Sequence, residues 1–246
     1  MAEVSLHTHF TIADLTQPLS AHSPTWNGSC GYCLETKKDY DQMFRVQQIK
    51  MHAGVGTHMD APSHCIPGGA SIADIPLERL IVPACLLDVS AKADADYEIS
   101  LQDVEIYEKP HGAIPPNSLI IGNTGWSRFW TDSKAYRNVD SEGQMHFPAF
   151  SAHAVEFLLK RKIAGIAIDT LSPDCRDTTY PVHKQMLGAN KYIIENIADC
   201  SKIPPKGSFI IALPLRGEGM TESPIRIAAL VPPTLHSNLK RNFYEL

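Results

Sequence analysis

The chain has 246 residues, 43% of them hydrophobic and 20% charged, an ordinary globular composition that excludes a coiled-coil rod and wholesale disorder. Its 22 Lys plus Arg against 27 Asp plus Glu leave a formal net charge of −5, which repels phosphate backbones, so nucleic acid is not an expected partner. No apolar run approaches the ~18–20 residues that cross a bilayer, so no membrane partner is expected either.

The stretch from Met1 to Ser5 lacks the basic flank and apolar core of a signal peptide. Six cysteines over this length are too sparse for a disulfide framework, so a cytoplasmic protein with reduced thiols is expected. Cys30 and Cys33 enclose Gly-Tyr, but a redox pair of that spacing opens a helix after a strand, whereas these sit between polar flanks and read as incidental loop thiols. A short helix is expected over 72–80, then a strand-length apolar run at 82–89. Ser100 with Asp103 opens a helix through about Glu108, and a second apolar run follows at 118–122. Ser151 precedes Ala154, Val155, Leu158 and Leu159 at helical spacing, with Lys160, Arg161 and Lys162 placed to oppose the helix dipole, so a helix feeds the apolar run 163–168. Another helix is expected over 182–187, and further apolar runs lie at 208–213 and 225–231. Several of these runs are too uniformly apolar to have a wet face and read as buried central strands. The expected fold is α/β with a mixed sheet, in a single domain over 1–246, because no linker or repeat interrupts the pattern.

Residues 52–64 concentrate chemistry: three imidazoles, His52, His58 and His64, accompany the carboxylate of Asp60. In an extended segment His58 and Asp60 point to the same side, because side chains alternate with period two. Gly54 and Gly56 permit close backbone approach, and Ala61-Pro62 turns the chain so that His64 can return to the same cavity. Hydrogen-bonded structural histidines are the competing reading, but small flexible neighbours make a poor core and a good metal site. About 120 residues later, Asp169 to Asp174 leave the end of the apolar run 163–168, where open sheets place ligands, and His183 and Glu195 follow. Glu195 sits beside an apolar run, where a carboxylate needs a cation or a salt bridge with Lys or Arg.

The run Gly56-Thr57-His58-Met59-Asp60-Ala61-Pro62-Ser63-His64 resembles the motif His-x-Gly-Thr-His-x-Asp-x-Pro-x-His of the metal-dependent cyclase family of hydrolases, which includes bacterial kynurenine formamidases and isatin hydrolases. The resemblance extends over most of the chain: Asp14 to Leu19, Pro24-Thr25-Trp26, Asn123 to Ser127, His146-Phe147-Pro148, Ile168 to Asp174, and His183 with Glu195 recur in family order. It implies a swivelling β/β/α fold, assembly as dimers or tetramers, and metal ligation by His58, Asp60, His183 and Glu195, with His64 as the proton-transfer residue. One departure stands out. The opening histidine of the motif falls at Gly54, so either His52 substitutes through a bulge or a ligand is missing and one ion is held by the remaining four residues in some combination.

A mixed imidazole and carboxylate set suits Zn or Mn, with Fe, Co or Ni as further options. The expected reaction is hydrolysis of a carbon–nitrogen bond in a small linear or cyclic amide, a formamide, imide or isatin-like ring, by metal-activated water. Trp26 and Trp126 are candidate walls for such a substrate, with core packing as the competing reading for each. A lactone or ester hydrolase, and a degenerate binding protein without turnover, are the alternatives.

Overall fold

Strands that read as apolar throughout do so because both of their faces are covered. The computed structural model describes residues 9–233; the two ends of the expected 1–246 domain, including Met1 to Ser5, lie outside the described residues. β1 (Thr11–Asp14), β4 (His58–Asp60), β5 (Ile81–Asp88), β7 (Leu119–Asn123), β9 (Gly165–Ile168), β10 (Tyr192–Glu195), β11 (Lys206–Pro214) and β12 (Glu222–Val231) make one mixed sheet. Its order is β1, β12, β11, β5, β7, β9, β10, β4, and β4 also pairs with β12, so every strand except β1 belongs to a closed, barrel-like ring. β5, β7, β9 and β10 run parallel to one another; the other pairings of this sheet, including β5 with β11 and β10 with β4, are antiparallel.

Alternate side chains divide between two cores. Val82, Ala84 and Leu86 of β5, Leu119 and Ile121 of β7, and Ile227 and Ala229 of β12 fill the ring. Cys85, Leu87, Ile120, Ile166 and Ile193 point outward against helices α1 (Leu101–His111), α3 (Ala152–Lys160) and α4 (Pro181–Gly188). α2 (Ser133–Arg137) is a short helix elsewhere. Full burial of a Leu or Ile side chain in either core stabilises the fold by about 1.5–3 kcal/mol.

The helix starts follow the local chemistry. Ser151 Oγ accepts the Ala154 N–H at 3.1 Å, and α3 runs as expected. Ser100 and Asp103 form a reciprocal capping box, and α1 continues beyond Glu108 to His111 before Gly112 ends it. Burial works against the Asp103 charge, but Lys92, the Ser100 N–H and hydroxyl, and Tyr97 hold this carboxyl below its usual range.

One expected element is corrected and one was missed. Segment 72–80 is not a helix but two 3₁₀ turns, Ile72–Asp74 and Leu77–Arg79; the Asp74 carboxylate caps back onto Ser71, and Pro76 breaks the backbone hydrogen-bond ladder. A hairpin of β2 (Tyr32–Lys38) and β3 (Val46–Met51) was absent from the expected strands because its residues are polar and exposed on most positions. The remaining pair, β6 (Glu98–Ile99) with β8 (Ala149–Phe150), ties the segment before α1 to the segment before α3.

Candidate active site

β4 is the strand that assembles the site, and register explains how. Met59 points into the ring, so His58 and Asp60 point out of it. Across the antiparallel pairing on one side, Glu195 of β10 lies opposite His58; on the other, Glu222 of β12 lies opposite Asp60. α4 packs over β10 and brings His183 to the same point.

Each imidazole is aimed by its other nitrogen. Gly56 takes a left-handed φ of 70°, and its carbonyl accepts from His58 Nδ1 at 2.9 Å, leaving Nε2 as a free donor atom facing the cluster. Thr57 Oγ1 donates to the Asn196 carbonyl at 2.7 Å and accepts the Gln17 N–H at 2.8 Å, which locks this turn to the end of β10. The Asp174 carboxylate accepts from the N–H groups of Val182 and His183 at the start of α4 and from His183 Nδ1 at 2.7 Å. His183 Nε2 is thereby turned toward Asp60 and Glu195.

The four donors converge at distances too long for strong hydrogen bonds. His58 Nε2 lies 3.3 Å from Glu195 Oε2 and 3.5 Å from Asp60 Oδ1; His183 Nε2 lies 3.5 Å from Glu195 Oε1 and 3.7 Å from Asp60 Oδ2. Asp60 is 1% exposed, and its Oδ1 has no hydrogen-bond partner. Two buried carboxylates facing each other with an unpartnered oxygen are costly unless a cation joins them. The electrostatics agree. Burial disfavours a charged His183, yet Asp174, Asp60 and Glu195 push its pKa up to about 12. His58 is raised against the same burial by Asp60 and Glu195, and Glu195 is raised by burial and by the Asp60 charge. Asp60 itself is lowered, because the imidazoles of His183 and His58 outweigh its burial. Raised imidazoles beside a raised carboxyl mark a cluster short of positive charge, which a divalent ion would supply. The residues present fit such an ion.

The cluster forms the floor of a cavity of about 380 Å³, large enough for a small molecule. Trp26, 43% exposed, stands on its wall edge-on to Phe147 and 6.4 Å from Tyr180. His64, on the 3₁₀ turn Pro62–His64, is partly exposed in the cavity, with Nδ1 3.4 Å from Glu222 Oε2 and its ring 6.0 Å from that of His183.

Other expected residues lie elsewhere. His52 is exposed and its Nδ1 abuts Gly31, because the chain enters the 52–58 turn from the hairpin and the side chain follows that hairpin. Trp126 is a core residue: its Nε1 donates to the Tyr136 carbonyl, and it packs against Phe129 in a separate buried cluster. Asp169 is fully buried away from the cavity, its carboxylate accepting from Thr124 and from the Ser127 N–H, so that it ties the 123–127 segment to the end of β9. All six cysteines are unpaired; Cys30 precedes the hairpin as a loop thiol, whereas Cys33 departs from the loop expectation and lies within β2, paired with Lys50, and both thiols are exposed. Glu222 and Tyr180 were not anticipated as cavity residues, and no local motif marks either of them; Asp174 stood within the family pattern without an assigned role.

Comparison with known proteins gives the lineage. The family model described as "Putative cyclase" matches residues 13–175. Isatin hydrolase of Roseibium aggregatum is 33% identical over 188 residues, covering 72% of this chain and 71% of that protein. This chain belongs to the cyclase family. Another relative, kynurenine formamidase of Bordetella petrii, is 26% identical over 87% of this chain and 94% of its own length. The solved structure of isatin hydrolase A from Ralstonia solanacearum superposes with a TM-score of 0.83 at 30% identity, covering 90% of this chain and 92% of that one. The mixed α/β fold with its barrel-like core is thus the cyclase-family fold, and the chain is a metal-dependent hydrolase of that family. Among the described residues no helix is long and apolar enough to cross a membrane.

Proposed function

We propose that this cyclase-family chain hydrolyses a carbon–nitrogen bond of a small linear or cyclic amide, a formamide, imide or isatin-like ring, at one divalent cation held by His58, Asp60, His183 and Glu195. The observation that carries the reading is the buried, unpartnered Asp60 Oδ1 at the point where two aimed imidazoles and a second carboxylate converge. When bound, a divalent cation polarises a carbonyl and lowers the pKa of a coordinated water from 15.7 to roughly 7.

The side chains around it have separable tasks. His64 moves the proton: its imidazole stands on the cavity wall, where Glu222 raises its pKa above the ordinary value, and it accepts a proton during attack and returns it to the departing nitrogen, which leaves poorly as an anion. Trp26, Leu171 and Tyr180 offer apolar faces to a planar substrate. Asp174 keeps His183 in the orientation and tautomer that present Nε2. The names of the relatives, an isatin hydrolase and a kynurenine formamidase, support a cyclic amide or a formamide as the substrate class. The imidazole and carboxylate donors favour Mn or Zn.

A homodimer or homotetramer is part of the same reading. Leu34, Tyr40, Met43, Phe44 and Ile49 on the β2–β3 hairpin and its tip are all exposed, an apolar surface that a second copy would cover. Six unpaired thiols support a reducing, cytoplasmic location.

The test is a substrate panel of formylkynurenine, isatin, simple cyclic imides and a lactone, offered to metal-stripped protein and to protein reloaded with Mn or Zn. Hydrolysis of at least one amide by the reloaded protein, abolished by a chelator, is expected. Turnover of the lactone alone would make the chain an ester hydrolase, and loaded protein that binds but turns over nothing would make it a binding module.

A further inference from the structure

Gly54 and Glu222 occupy one space between them. A Cβ at position 54 would collide with Glu222 Oε1 and stand 3.3 Å from His58 Nε2, so the Glu222 carboxylate fills the volume that a side chain at 54 would need. Backbone conformation does not call for glycine there. Gly56 has a left-handed φ, whereas Gly54 does not, so the absent side chain of Gly54 serves space alone. What enters that space is an acid. Register places Glu222 directly across from Asp60 on the outward face of the ring, and one donor atom from each of His58, Asp60 and Glu222 lies within 4.8 Å of the other two. The unpartnered Asp60 Oδ1, in a side chain 2% exposed, belongs to the same cluster.

We propose that Glu222 is an additional ligand of the cation, reaching it from β12 through the opening left by Gly54, where the family motif would place a histidine. The inference rests on the reading of the cluster as a cation site. It replaces a neutral imidazole with an anionic oxygen, giving three carboxylates and two imidazoles, and so moves the site's preference from Zn toward the harder Mn. The second Glu222 oxygen, 3.4 Å from His64 Nδ1, then links the ligand set to the proton-transfer residue.

The experiment measures Mn and Zn affinity by chelator competition, with no substrate present, for the full chain and for Glu222→Ala, Gly54→His and the double variant Gly54→His/Glu222→Gly. Thermal unfolding of each metal-free protein checks folding. Glu222→Ala should lose at least ~10-fold in Mn affinity, a loss that even an outer-shell partner of a ligand can bring. Gly54→His alone should also bind more weakly, because imidazole and carboxylate compete for one volume. The double variant should recover affinity and favour Zn over Mn more than the parent does. Unchanged affinity in a folded Glu222→Ala protein, or a double variant no better than Gly54→His, would overturn the proposal and leave Glu222 as a partner of His64 only. A parent chain that binds neither ion would instead overturn the cation site itself.

Discussion

Asp60→Ala is expected to abolish both metal binding and hydrolysis. Asp60 stands between the two imidazoles, 3.5 Å from His58 Nε2 and 3.7 Å from His183 Nε2, and it is common to both groups of residues able to hold an ion. Removing it takes away the carboxylate shared by both imidazoles and the charge that helps to raise Glu195 and His58, leaving Glu195 as the one buried acid between the two Nε2 atoms. Metal content after dialysis should fall to under ~0.1 equivalent, and kcat/KM should fall at least ~10³-fold, since the ion's charge stabilisation is worth several kcal/mol in the transition state. Added Mn or Zn should raise the unfolding temperature of the parent chain and leave that of the variant unchanged, because only a native state that binds the ion is stabilised by it. A metal-loaded, active Asp60→Ala protein would refute the assignment.

His64→Ala is expected to separate the two functions. His64 lies on the cavity wall, partly exposed and hydrogen-bonding distance or slightly more from Glu222, while the converging donors lie deeper. The variant should keep its full metal content and lose turnover by ~10²–10⁴-fold, the usual contribution of a positioned proton-transfer group. Metal analysis beside kcat distinguishes this from ligation. If metal content collapses with activity, His64 belongs to the coordination sphere, with Asp60 and His183 as its partners.

Much of this site was legible before any coordinates. Period-two alternation put His58 and Asp60 on one side of β4, and the closed sheet turned that side outward toward α4. Doubly covered strands announced themselves as uninterrupted apolar runs, and Ser151 and Ser100 marked two helix starts. What failed to show depended on pairing between distant segments. Glu222 lies in a polar stretch near the end of the chain, and only the β4–β12 register reveals that it faces Asp60. The same dependence misled the reading of His52, which shares a segment with His58 but follows the hairpin away from the cluster. Trp126 looked available because an aromatic beside glycine gives no sign of burial; its Nε1 is consumed by the Tyr136 carbonyl. Exposed strands such as β2 and β3 carry too little apolar alternation to be read at all.

The most direct measurement is anomalous scattering from crystals of the Mn- or Zn-loaded protein, which locates the ion without reference to activity. One peak is expected at ligand distance, about 2.0–2.2 Å, from His58 Nε2, His183 Nε2 and oxygens of Asp60 and Glu195. An ordered crystal of loaded protein with its ion elsewhere, and with those imidazoles and carboxylates hydrogen-bonded only to one another, would contradict it.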